Sequence, residues 1–401
     1  MKIGLLTFPQ FNNGFKHKLE PSVLYLTSNR VEDINIFMYE NQCSDDIDIY
    51  LASIYTIGFN EFVEFSKKVG KDKIIAGGYH PTLRPEETKM YARIVITGLS
   101  SNVEKYFDKS IEGIFDGEFD PQKRIDRSIY DISNNKQVHP DIYRNDIIGS
   151  INIGIGCNFS CNFCLSPIMS KGKVFYKSYE LISKEIKELK DKNCNVLFVR
   201  DESFTTYKKL GDLCSIISDG GFRIVYSFAT ASSITKEKIL LLKNSGWHSL
   251  CIGAEQPTSR LIKNNNFDKA IDLCKESNIG VALSFIVDDS NTKYDIEKQF
   301  RIIKEKAFKY MPIKLSINFL KPFPGTAIFE LYKDKISNNS YNDFAFDYPL
   351  FSKDKEWCKD ILLSTLKEYY HSKQYNEIRI FECNDNLHSN FLEMTNSHII
   401  D

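Results

Sequence analysis

The chain has 401 residues, 42% of them hydrophobic and 26% charged, with a formal net charge of −1. That length holds two domains, or one large α/β domain with extensions, and the near-neutral balance excludes the cationic face of a large nucleic-acid footprint or an anionic-membrane binder. The apolar stretch after Met1 is too short for a signal peptide, no run approaches a membrane span, and the cysteines outside one motif are scattered through apolar segments, so a cytoplasmic protein is expected.

In chain order, residues 1–112 alternate short strands and helices. Strands are predicted over 3–8, 34–37, 47–51, 73–76 and 94–97, the last two being apolar runs stopped by Gly77-Gly78 and by Gly98. Helices are predicted near 59–69 and 101–108, and the alternation favours a small parallel sheet. Residues 113–148 are rich in Asp, Arg, Asn and Pro without a period and read as an extended linker.

Residues 149–333 then run strand and helix six times, with strands predicted over 151–155, 196–200, 223–228, 249–253, 281–287 and 313–319. The helices between them show core spacing: Ile182, Ile186 and Leu189; Leu210, Leu213, Cys214 and Ile217; Ile296, Phe300 and Ile303. Residues 334–401 carry a predicted helix over 354–374 and a strand near 378–381, read as a small α+β cap.

The most informative feature lies just after the first of the six strands. Cys157, Cys161 and Cys164 stand in a CxxxCxxC run on one short loop. Three such thiolates ligate three irons of a 4Fe–4S cube and leave the fourth open for another ligand. A structural zinc site is the competing reading. It wants four N/S ligands in paired short spacings, and the nearest candidates for a fourth, His139 and Cys194, sit in no paired knuckle.

This motif resembles that of the radical S-adenosylmethionine (SAM) superfamily. The resemblance implies that the open iron chelates SAM, that Phe163 lies against the adenine, and that one-electron cleavage gives a 5′-deoxyadenosyl radical. It also implies a partial (β/α)6 barrel with its chemistry at the carboxyl ends of the strands. Ahead of it, Asp48–Gly58 and the Ala76-Gly-Gly-Tyr-His-Pro run resemble the cobalamin-binding-type domain that precedes many radical SAM cores. The expected fold is therefore α/β: a shortened flavodoxin-like domain over 1–112, a linker over 113–148, the barrel over 149–333 and an extension over 334–401. The short spacing between Pro21 and Ile34, the Gly98-Leu-Ser-Ser run and the missing DxHxxG motif favour a vestigial, cobalamin-free first domain. His80 reads as a loop residue rather than a cobalt ligand.

The resemblance also assigns the strand ends. Asp201 and Glu202, after the second strand, match acids that contact the SAM amine; a helix N-cap is the plain alternative. Ser227 and Thr230, in and after the third strand, match positions near the SAM carboxylate, with packed strand hydroxyls as the alternative. Glu255, after the fourth, is placed on the SAM ribose or near the substrate. The fifth-strand loop departs most from relatives, with Asp288 and Asp289 where a Gly-x-Pro-Gly run is usual; these two acids are candidate substrate contacts, or a solvated loop. Lys171, Lys173 and Lys177 are candidate phosphate contacts. The sixth strand ends in Pro322-Phe-Pro-Gly325-Thr326, similar to the family's closing turn.

Together these features imply a radical enzyme acting on a small, nucleoside-like substrate with a reductant such as flavodoxin or ferredoxin. Size and layout resemble the queuine lyases of gut clostridia, which implies release of queuine from queuosine 5′-phosphate. The alternative is a cobalamin-dependent radical SAM methyltransferase.

Overall fold

The computed structural model describes residues 1–8, 26, 35–38, 46–127, 146–257, 266–336, 341–346 and 348–372. In chain order the strands and helices are β1 (Lys2–Phe8), β2 (Asn35–Met38), β3 (Ile49–Ile54), α1 (Phe59–Val69), β4 (Ile74–Gly77), α2 (Tyr79–Leu83), α3 (Pro85–Lys89), β5 (Ile94–Thr97) and β6 (Gly113–Asp116). They continue with β7 (Ile148–Ile151), β8 (Gly154–Ile155), α4 (Ser166–Met169), β9 (Phe175–Tyr176), α5 (Tyr179–Asp191), β10 (Val196–Val199), α6 (Leu210–Ser218), β11 (Ile224–Ala229) and α7 (Lys236–Asn244). The remainder are β12 (Trp247–Glu255), α8 (Asn266–Glu276), β13 (Gly280–Val287), α9 (Lys293–Tyr310), β14 (Lys314–Phe319), α10 (Ala327–Ile336) and α11 (Lys355–Tyr370). Among the described residues no helix is long and apolar enough to cross a membrane. The predicted strand near 378–381 and His139 lie outside the described residues.

The chain divides into two compact units. The first comprises Met1–Asn134, Asn152–Leu181 and Pro322–Ala345; the second comprises Asn135–Ile151, Ile182–Lys321 and Phe346–Asp401.

The first unit is built on a six-stranded sheet in the order β2-β1-β3-β4-β5-β6, every pair parallel. β1 and β3 read as nearly unbroken apolar runs because both faces of the sheet are covered. Leu6, Phe8, Tyr50 and Ile54 pack with Phe59 and Phe62 of α1 on one face, and Ile3, Leu5, Ile49 and Leu51 pack with Val103 and Tyr106 on the other. Gly78 has φ +101°, and a Cβ there would stand 2.9 Å from the backbone nitrogen of Ile54, so only glycine lets this turn close on the end of β3.

Two expectations change here. Residues 113–116, read as the start of a linker, form the edge strand β6, and the helix predicted over 101–108 shrinks to a 3-10 turn at Glu104–Phe107. The cause is Arg93. Its buried guanidinium donates to the carbonyls of Asp72, Asp108, Ile111 and Tyr106, which draws this segment around until Gly113 enters the sheet. Those bonds join residues far apart in sequence, so no local pattern announces them. His80, read as a loop residue, lies fully buried in α2, its ring stacked 3.9 Å from that of Phe59 and edge-on to Tyr341.

The second unit holds a six-stranded parallel sheet in the order β14-β13-β12-β11-β10-β7, so consecutive strands are neighbours with a helix between most of them. Side chains alternate between its faces. Leu197, Val199, Val225, Ser227, Ala229, Leu250 and Ile252 form one fully buried set. Phe198, Tyr226, Phe228, Cys251, Ser284 and Asn318 belong to the other. There Phe198 and Tyr226 stack at 4.4 Å and Asn318 donates to the Ser284 hydroxyl at 3.2 Å.

Candidate cluster and cofactor site

In the first unit, Cys157 and Cys164 are half-buried and Cys161 is exposed. The loop is shaped by its own backbone: Cys164 N–H donates to the Cys161 carbonyl at 3.2 Å, and Cys157 N–H to the Ser170 hydroxyl at 3.4 Å. Gly156, at φ +101°, makes the turn possible, since a Cβ would overlap the Lys173 carbonyl and stand 2.6 Å from Ser170 Cβ. The far side of the loop is pinned by Ile328 at the start of α10, whose N–H donates to the Asn162 carbonyl at 2.9 Å. Phe163 is half-buried within it.

This donor set fits a 4Fe–4S cube. A cube takes each thiolate on a different iron, and three thiolates on one loop supply three of its four. Among the described residues no three His, Cys, Asp or Glu side chains close on one ion.

The segment after the third cysteine rests on the carboxyl ends of the first sheet. Leu99 N–H donates to the Met169 carbonyl at 3.1 Å, and Lys171 Nζ stands 3.0 Å from the Asp116 carboxylate. Lys171 is therefore paired and Lys177 is buried, whereas Lys173 is exposed.

In the second unit the strand ends sort the sequence candidates. Asp201 is 2% exposed and accepts from the Tyr207 phenol, whereas Glu202 is exposed. Thr230 donates to the Ser203 hydroxyl from both its N–H, at 3.1 Å, and its Oγ1, at 2.8 Å. Ser227 is wholly buried and accepts from the Trp247 indole at 3.0 Å. The residue beside it, Phe228, occupies the alternate face and is 39% exposed. Strand alternation thus takes Ser227 away from the face that carries Phe198 and Tyr226, in keeping with the reading of it as a packed strand hydroxyl.

Glu255 ends β12 at φ +57°, next to a register shift between Gly253 and Glu255. Its carboxylate folds back over the space a Gly253 side chain would fill. Burial pushes its pKa up to about 7.

The fifth-strand loop is internally braced. Gln299 accepts from Asp288 N–H at 2.9 Å and donates to the Asp288 carbonyl at 3.0 Å, while Asp288 Oδ1 accepts from Ser290 N–H at 3.0 Å. Asp289 is buried and accepts from the backbone N–H groups of Phe351 and Ser352 at 2.7 and 2.9 Å.

Residues 151–318 match the model of the Radical SAM superfamily. The chain carries a radical SAM domain, and that domain implies a 4Fe–4S cluster and SAM as its cofactors. Among curated proteins it is similar to bacteriochlorophyllide d C-8(2)-methyltransferase of Chlorobaculum tepidum, 22% identical over 80% of each chain. It is also similar to the C-12(1)-methyltransferase of that organism, 21% identical over 73% of this chain and 67% of the other. Among solved structures, the radical SAM methyltransferase TsrM of Kitasatospora setae aligns with TM-scores of 0.58 and 0.60 at 12% identity, over 84% of this chain and 79% and 77% of that one. One TsrM structure holds cobalamin and a 4Fe–4S cluster; the other holds tryptophan and a SAM analogue. These relatives are named as methyltransferases, which backs the alternative reading of the sequence better than a queuine-releasing lyase.

Proposed function

We propose that this chain is a cobalamin-dependent radical SAM methyltransferase of a small-molecule substrate. The observation that carries the reading lies in the first unit. Its strands β1 to β5 run in the order 2-1-3-4-5, as in flavodoxin-like sheets, whose ligands bind outside the carboxyl ends of the strands. The carboxyl ends of β5 and β6 adjoin residues 166–173, directly after the third cysteine, through the Leu99–Met169 and Lys171–Asp116 contacts. The face a corrinoid would use therefore adjoins the loop that carries the cluster ligands.

When bound, the cluster and SAM supply an electron and a reactive sulfonium, and cobalamin supplies a methyl carrier. The chain's own work is placement. Cys157, Cys161 and Cys164 would hold three irons of the cluster, and Phe163 would lie against the adenine of SAM. Exposed Glu202 would accept from the SAM amine by a charge-assisted bond. Thr230, fixed by Ser203, would be a donor for the carboxylate of SAM, and Glu255 would take its ribose hydroxyls with a carboxyl that is about half protonated at neutral pH. Phe228 offers an apolar face where water is to be kept out. A flavodoxin or ferredoxin in a reducing cytoplasm would deliver the electron.

The test is anaerobic reconstitution with iron, sulfide and hydroxocobalamin, followed by SAM carrying a labelled methyl group. Stoichiometric corrinoid and label transferred to an acceptor are the expected result. A protein that retains no corrinoid, and instead frees queuine from queuosine 5′-phosphate with one 5′-deoxyadenosine each, would replace this reading with the lyase.

A further inference from the structure

The fifth-strand loop and the segment it holds are not used by the cofactor assignments. In the second unit, residues 348–352 run across the carboxyl ends of β13 and β14. Phe319, the last residue of β14, donates its N–H to the Phe346 carbonyl at 2.7 Å. Lys321, two residues on and only 3% exposed, donates its ammonium to the Tyr348 carbonyl. Asp289, two residues beyond β13, takes the N–H groups of Phe351 and Ser352 on one carboxylate oxygen. Its other oxygen is buried and has no hydrogen-bond partner among the described residues.

A carboxylate and a lysine are each buried here at the cost of their hydration. Both use their charge on backbone groups of one short segment. The loop carrying Asp289 cannot drift, because Gln299 brackets the backbone of Asp288 and Thr292 caps α9 through Asp295 N–H. From the other side, Tyr348 lies under Lys355 and Lys359 of α11, at 4.8 and 4.6 Å from its ring centre. Leu350 is 3% exposed. So much fixed polarity for so short a stretch indicates that its position matters more than its contribution to the core.

We propose that Asp289 and Lys321 are positioning residues that hold residues 348–352 as a wall across the carboxyl ends of β13 and β14, bounding the substrate side of the reaction face. This assigns Asp289, a candidate substrate contact by sequence, to the wall instead. It rests on the radical SAM reading only in taking the carboxyl ends as the reaction face.

The test uses the reconstituted holoenzyme and its Asp289→Ala, Asp289→Asn and Lys321→Met variants. Hydrogen exchange is read on peptides covering 348–352. SAM with dithionite, and no substrate, is the chemical probe. Asp289→Ala is expected to speed exchange of the Phe351 and Ser352 amides at least tenfold. With the wall open, it is also expected to raise substrate-free SAM cleavage several-fold without changing SAM affinity. Asp289→Asn keeps an oxygen for both amides and should restore both readouts, and Lys321→Met should resemble the alanine variant at Tyr348. Unchanged exchange in Asp289→Ala, or faster exchange with no change in SAM cleavage, overturns the proposal. A wild-type enzyme that cleaves no SAM overturns the enzyme reading instead, and exchange alone then decides whether the segment is held as described.

Discussion

The carboxylate of Glu255 occupies the volume that a side chain on Gly253 would need. Two residues of one strand end thus share a single space. The register shift between them and the left-handed backbone of Glu255 turn the acid back along the strand when it would otherwise point away. Glycine at 253 is a condition for that placement, so Gly253→Ala should displace the carboxylate. We expect SAM affinity to fall at least tenfold with iron content retained, measured by equilibrium dialysis on the reconstituted protein.

Glu255 also gives stability a pH dependence. Its folded pKa of about 7 lies above the ordinary 4.5 because burial disfavours the charged form. Between those values the folded chain keeps a proton that the unfolded chain has released, so stability falls as pH rises through this window. The penalty above pH 7 is up to roughly 3 kcal/mol, less whatever water reaching the half-buried carboxyl relieves. Glu255→Gln should raise the melting temperature at pH 8, leave it nearly unchanged at pH 4.5, and weaken SAM binding.

His80 acts in the opposite sense. Burial, then the nearby charge of Arg84, holds its pKa at about 3, below the usual 6.5. The unfolded chain takes up a proton below pH 6.5 that the folded chain refuses, so stability is lost as pH falls from 6.5 toward 3. His80→Phe keeps a ring against Phe59 and Tyr341 and removes the titrating group. Its melting temperature relative to wild type should rise steadily as buffers are taken from pH 7 to pH 4.

Ser227 and Thr230 separate packing from binding. Ser227→Ala leaves the buried Trp247 N–H without its acceptor and should cost about 1–3 kcal/mol with SAM affinity unchanged, read by urea unfolding and SAM titration. Thr230→Ala should do the reverse, lowering SAM affinity with little loss of stability. Loss of SAM binding in Ser227→Ala would contradict the strand alternation described above.

Replacing Cys157, Cys161 or Cys164 singly by alanine should abolish the 4Fe–4S absorption and electron-paramagnetic-resonance signals and all SAM cleavage. Replacing the buried Cys194, Cys214 or Cys274 should leave the cluster intact, because burial pushes the Cys214 and Cys274 thiols up to about 12 and makes them poor ligands.

The sequence alone determined what is carried by short spacings and local periods. Three cysteines within eight residues define a cluster loop wherever they are placed, because one loop brings them together without help. Apolar periods of 3.6 and the runs between glycines located α1 at 59–69, β5 at 94–97 and most of the second sheet, since each reports its own burial. Tertiary structure decided whatever depends on a partner distant in the chain. Arg93 turned part of a presumed linker into β6 through carbonyls at 72, 106, 108 and 111. Trp247 took Ser227 into the interior, and residues 351–352 took the Asp289 carboxylate. A side chain's type says which bonds it can make. Which of those bonds it does make depends on what folding brings beside it, and a buried polar atom goes to the partner that best offsets its lost water.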